Sequence, residues 1–170
     1  RRFNKRQRFT HILVIVTFLM LSLTGMTLKF AHMDWASWLA NLLGGVKAAG
    51  NIHRFAAVFT FGYFVFHLGT LFQLKAKADV SIREFLFGPN SLMFSMQDVR
   101  DLKASFKWFL GKGPRPEYGR WTYWEKFDYM AVFWGVAVIG LSGLILWFPE
   151  FFTQFMPGWA INVAQIIHSD

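Results

Sequence analysis

The chain has 170 residues, of which 54% are hydrophobic and 19% aromatic, while only 16% are charged. A soluble domain carries about 25% charged residues, so the composition argues against an ordinary water-soluble globule and for a membrane protein. The absence of cysteine excludes disulfides, iron–sulfur clusters and thiol catalysis by this chain, and the net charge of +8 reports orientation across a membrane rather than nucleic-acid binding.

In chain order, Arg1, Arg2, Lys5, Arg6 and Arg8 precede a first run without Asp, Glu, Lys or Arg, from His11 to Leu28. A secretory signal has the same basic start, but this run is too long and no small-x-small cleavage site follows it, so it is read as a retained helix. The segment 30–52 carries Trp35, Trp38, Leu39, Leu42 and Leu43 before Gly44-Gly45, the pattern of a short interfacial helix. A second charge-free run extends from Phe55 to Leu74. The segment 75–126 holds an amphipathic stretch from Gln97 to Leu110, with Val99, Leu102, Phe106, Phe109 and Leu110 on one side. That stretch suits either the membrane surface or the inner end of a bundle. Gly111–Gly119 is a breaker-rich loop, and Trp121, Tyr123, Trp124, Phe127 and Tyr129 form an aromatic belt before a third run, Tyr129 to Phe148. A fourth run begins at Trp159 and stops at Asp170.

Each of the three full runs is long enough to cross a hydrocarbon core of about 30 Å. The expected fold is therefore all-α: a transmembrane four-helix bundle with spans at about 11–29, 54–74 and 128–148, and an incomplete fourth at 159–170. The whole chain, 1–170, reads as one membrane domain. Fifteen basic residues lie before span one or in 75–126, against three between spans one and two and none between spans three and four. The positive-inside bias expects a cytoplasmic N-terminus and a cytoplasmic 75–126 segment, leaving 30–52 and 149–159 on the outer side.

A repeat is present. Leu23-Thr24-Gly25-Met26-Thr27-Leu28-Lys29-Phe30 and Leu141-Ser142-Gly143-Leu144-Ile145-Leu146-Trp147-Phe148 both read L-[ST]-G-[ML]-x-L-x-F at the outer end of an outward-going helix. A returning helix opens with His53 after the first and with His168 after the second, which expects the two histidines at one depth near the outer face. His67 lies 14 residues beyond His53 on the same span. That spacing returns the ring to within roughly 40° of the first and displaces it by about 21 Å. One helix would thus offer an imidazole near each face. Ionisable groups inside spans are rare and by default functional. Zinc wants four close ligands, often with cysteine or carboxylate. Histidines in two distant layers, with no acid inside a span, suit two stacked haems instead. His32, in the outer segment, reads as a surface or interfacial side chain.

Taken together, Arg8-Phe9-Thr10-His11, Thr24-Gly25, His53-Arg54, the segment Gly119 to Lys126 (GRWTYWEK), Ser142-Gly143 and His168 resemble the bacterial di-haem cytochrome b membrane subunits. These are the subunits of formate dehydrogenase (gamma subunit) and nickel–iron hydrogenase type. The resemblance covers nearly the whole chain. It implies an inner-membrane, multi-pass protein with two b haems, one held near the outer face by His53 and His168. It implies an inner haem held by His11 and a second span-four histidine, with His67 as the alternative inner ligand or a quinone-side group. That second histidine would fall about 14 residues past His168, beyond Asp170, so the chain is expected to be part of a longer protein. The resemblance further implies quinone as substrate, with Tyr118, Arg120 and Glu125 as candidate quinone-side residues. The implied partner is a periplasmic iron–sulfur or multihaem c-type subunit. The expected function is an electron-transfer subunit of a quinone-linked membrane oxidoreductase. The alternatives are a stand-alone cytochrome b oxidising a small diffusible reductant, and a haem-free membrane anchor.

Overall fold

The computed structural model describes residues 5–88 and 90–170; Arg1 and Arg2 of the basic cluster lie outside the described residues. All regular structure among the described residues is helical: α1 (Lys5–Lys29), α2 (Asp34–Leu42), α3 (Val46–Ala78), α4 (Ile82–Phe87), α5 (Met96–Phe109), α6 (Tyr123–Trp147), α7 (Pro149–Phe152) and α8 (Trp159–Ser169). Three of them, α1, α3 and α6, are long and apolar enough to cross a membrane.

The helices extend beyond the charge-free runs because a helix does not stop where its charges begin. α1 starts at Lys5, and Thr10 Oγ1 donates to the Arg6 carbonyl at 3.1 Å across its first turns. α3 starts at Val46, two turns before His53, and its 33 residues make a rod of about 50 Å, longer than a bilayer core. The expected interfacial helix in 30–52 forms as α2 and ends in a Schellman cap. Gly45 N–H donates to the Ala40 carbonyl at 2.7 Å and Gly44 N–H to Asn41 at 3.1 Å, with Gly44 at φ +92°, a backbone state that favours glycine. α5 ends the same way: Lys112 N–H donates to Lys107 O and Gly111 N–H to Trp108 O, with Gly111 at φ +67°. The short α4 and α7 were not expected.

The chain forms two compact units: one comprises the chain to Leu68 together with Val138–Asp170, the other Gly69–Ala137. The helices of the first unit bury small residues: Thr17, Thr24 and Thr27 on α1, Ala36 and Ala40 on α2, Ala49, Ala56 and Thr60 on α3, Ser142 on α6, and Ala160 and Ala164 on α8. Large apolar side chains such as Phe18, Phe55 and Val65 point outward. A water-soluble bundle does the reverse. In lipid there is no hydrophobic drive between helices, so close contact through small residues takes over. The buried hydroxyls are satisfied within their own helices, Thr17 by Leu13 O at 2.9 Å and Thr27 by Leu23 O at 2.7 Å.

Candidate functional site

Within the first unit, α1, α3, α6 and α8 converge on His53 and His168. Their ring centroids lie 6.0 Å apart with an 84° angle between planes. His53 is the eighth residue of α3 and His168 the tenth of α8, so each stands inside its helix, where the sequence reading expected it to open one.

The bonds around each ring fix its proton. His168 Nδ1 lies 2.9 Å from the Ile139 carbonyl oxygen. A carbonyl only accepts, so Nδ1 carries the hydrogen, and in the neutral ring Nε2 keeps its lone pair. His53 Nδ1 lies 2.9 Å from Thr24 Oγ1. The Thr24 hydroxyl donates its single proton to the Met20 carbonyl at 2.6 Å, so it accepts from His53. His53 is therefore in the same tautomer. A ring nitrogen engaged this way orients the imidazole, as the outer partners of metal-bound histidines do.

Glycine makes room for both rings. A Cβ at Gly25 would sit 3.3 Å from His53 Cε1, and one at Gly143 would sit 2.7 Å from His168 Cε1 and 3.1 Å from its Nδ1. The repeat thus has a physical content: its glycine is the surface against which a histidine lies. The two hairpins differ in length, since Gly25 to His53 is 28 positions and Gly143 to His168 is 25. Both hydroxyls turn back to their own helix, Thr24 to Met20 O at 2.6 Å and Leu21 O at 3.3 Å, Ser142 to Val138 O and Ile139 O, both at 2.9 Å. A main-chain carbonyl at the same place in the repeat meets each ring, Leu21 for His53 and Ile139 for His168, and only Thr24 adds its hydroxyl to the contact. Around the pair, Lys29 bonds the Asp170 carboxylate at 2.7 Å and the Ser169 carbonyl, and Arg54 lies over the Trp147 ring at 5.8 Å.

The donor set can be tested against a metal group. A metal bonded to one nitrogen of each ring at about 2.0 Å would hold the centroids roughly 6.3 Å apart. The observed centroid separation is 6.0 Å. Among the described residues, no three His, Asp or Glu side chains come together to hold a metal ion. Two imidazoles are too few for a zinc site made by the protein alone, whereas two histidines from different helices are the ligand type and number that a haem iron takes from protein.

The other candidate residues stand apart from this cluster. His11 is exposed on α1, and His67 is half-buried on α3. In the same unit, a largely apolar groove of about 440 Å³ lies between α1 and α3, lined by Arg6, Phe9, Thr10, Tyr63 and Phe66 among others, but by neither His11 nor His67. Tyr118, Arg120 and Glu125 belong to the second unit. There the Tyr118 hydroxyl bonds Ser105 Oγ at 2.8 Å and Arg120 lies 5.5 Å from the Trp121 ring. Glu125 Oε2 accepts from Thr122 N–H at 2.9 Å while Thr122 Oγ1 accepts from Glu125 N–H, a capping box that starts α6.

Sequence reading missed the polar core of the second unit. Asp98 is buried and accepts from Lys126 Nζ at 2.9 Å, Ser95 N–H at 2.7 Å and Ser95 Oγ at 2.9 Å. Burial pushes its carboxyl pKa up, but the bonds from Lys126 and Ser95 outweigh this and hold it below the usual carboxylate range. The capping pattern Ser95-x-x-Asp98 was the one signal available in the sequence. No family model, curated protein or solved structure matches this chain.

Proposed function

We propose that this chain is a haem-b-binding membrane subunit that carries electrons between a redox partner on the outer side and the quinone pool. The observation that carries the reading is the His53–His168 pair, two imidazoles from different helices 6.0 Å apart, each held through Nδ1. In this reading Nε2 of His53 and Nε2 of His168 would together hold the iron of a haem. Bound there, the haem would supply a one-electron couple. An iron held by two histidines would leave little room for oxygen or substrate, which would favour electron transfer over oxygen chemistry. Gly25 and Gly143 let the rings lie close to their helices, and Thr24 and the Ile139 carbonyl hold their orientation.

The resemblance to the di-haem cytochrome b subunits extends this reading. A second, inner haem would use His11 and a histidine beyond Asp170, with His67 as the alternative ligand or as a proton-accepting group beside quinone. Tyr118, Arg120 and Glu125 would lie on the quinone side, and the electron partner would be a periplasmic iron–sulfur or multihaem c-type subunit. The host would be a bacterial inner membrane with the N-terminus in the cytoplasm, as the basic residues expect.

The test is a reduced-minus-oxidised spectrum and haem-to-chain ratio on the purified protein. A b-type spectrum with stoichiometric haem is expected. A colourless preparation would overturn the reading in favour of a haem-free anchor. Haem together with oxidation of a small reductant by the chain alone would favour the stand-alone cytochrome.

A further inference from the structure

α5 packs inside out for a helix in water. The residues it turns inward are polar: Asp98, Asp101 and Ser105 are 4%, 7% and 2% exposed. Asp98 bonds Lys126, the fourth residue of α6, at 2.9 Å, and Ser105 bonds Tyr118 at 2.8 Å. Gln97 Nε2 donates to Asp101 at 2.8 Å along the same side. The apolar residues face outward instead, with Met96, Phe106, Phe109 and Leu110 between 61% and 74% exposed. At 100° per residue these four and Val99 fall in one arc of roughly 140°. Arg100 and Lys107 border it on the side away from Asp98 and Asp101, Lys103 stands just inside that edge, and all three are exposed.

Where this face sits follows from what anchors it. α6 is one of the three helices able to cross a membrane, and its first turns carry the exposed aromatics Trp124 and Phe127. The start of a span with such a belt lies at the boundary between lipid and water. The buried Asp98–Lys126 bond fastens α5 to that start, so its apolar arc lies at the same boundary.

From this we infer that α5 is an in-plane interfacial helix, sunk by Val99, Phe106 and Phe109 into the acyl edge of an anionic leaflet, with Arg100, Lys103 and Lys107 reaching lipid phosphates. Charge complementarity decides for lipid over protein. The acids of α5 are turned inward and Asp98 is paired, so its outward charge is wholly basic, which suits anionic head groups. The long aliphatic stems of Lys and Arg let the charged ends rise to the head groups while the apolar arc goes deeper.

The chain has no cysteine, so single cysteines at Phe106, Phe109 and Arg100 can each carry a nitroxide in the full-length protein. The probe is a vesicle of three parts phosphatidylcholine to one part phosphatidylglycerol. At Phe106 and Phe109, collision with oxygen should exceed collision with a water-soluble nickel chelate several-fold, and at Arg100 the chelate should win. Phe109 is at the last turn, so its variant keeps the test open if the Phe106 variant folds poorly. Free access of the chelate to both sites would place the face in water and overturn the proposal. Protection from both reagents would show protein covering it, a second copy of this chain, and would overturn it equally. Changing Arg100, Lys103 and Lys107 together to Gln should move both nitroxides toward the chelate. No movement would refute the role given to anionic lipid.

Discussion

The two compact units of this chain hold polar groups inside by different means. In the first, apart from the exposed Lys29–Asp170 pair, the helices meet through alanine, threonine and serine and through imidazole N–H groups that find a hydroxyl or a carbonyl. In the second, a carboxylate and an ammonium are buried together, Asp98 with Lys126, and a helix is fixed in place by that pair. Neutral acceptors orient two rings while leaving their opposite nitrogens with free lone pairs. A charged pair does something else: it locks an amphipathic helix to the foot of a span, and it ties that lock to pH.

Breaking the charged pair should have the largest effect. Asp98→Asn leaves Lys126 buried without its partner charge, and loss of one member of such a pair costs about 4 kcal/mol. Faster proteolysis or exchange within 95–126, with haem content unchanged, would report it. The wild-type pair should also fail in acid. Because Asp98 titrates below its unfolded value, its contribution is complete above the unfolded pKa of about 4 and is lost as pH falls through the lower, folded value. Melting of the second unit in detergent should therefore stay level through neutral pH and drop only below about pH 4.

Perturbing the first unit should give smaller effects, graded by contact. Gly143→Ala places a carbon 2.7 Å from His168, and the ring cannot move away without stretching its bond to Ile139. A cost of about 3 kcal/mol is expected, seen as reduced haem occupancy, with a milder loss for Gly25→Ala, where the contact is 3.3 Å. Thr24→Val removes the hydroxyl beside His53 Nδ1 but leaves the Leu21 carbonyl, so a cost of about 1.5 kcal/mol is expected. It should also loosen the ring, visible as a broadened low-spin spectrum. Ser142→Ala sharpens the comparison. It stands at the same place in the repeat, yet its hydroxyl only returns to its own helix, so a change of about 1 kcal/mol or less is expected. Equal effects of Thr24→Val and Ser142→Ala would erase the difference drawn between the two hairpins.

The sequence exposed much of this, and the physical reason differs by element. Spans announce themselves because lipid forbids charge over a long run, which is why α1, α3 and α6 were visible. Their ends were less so, because Lys5–Arg8 and Val46–Ile52 are compatible with helix and only packing decides. The repeat pointed to His53 and His168 as equivalents, and the structure brings their rings to 6.0 Å. That the partner of His168 would be the Ile139 carbonyl was not legible, since a main-chain oxygen leaves no mark in the choice of residue. The Asp98–Lys126 pair was hidden for another reason. In a segment with ten basic residues, two opposite charges 28 positions apart look like solvated surface until the fold brings them together.

The central claim is that His53 and His168 hold one haem between them. It is tested most directly by reduced-minus-oxidised spectra of His53→Ala and His168→Ala in the full-length protein, at matched membrane levels and against the parent. The account predicts that both variants lose the same b-type component. Loss of two spectrally different components, or retention of the full signal in either variant, would contradict it.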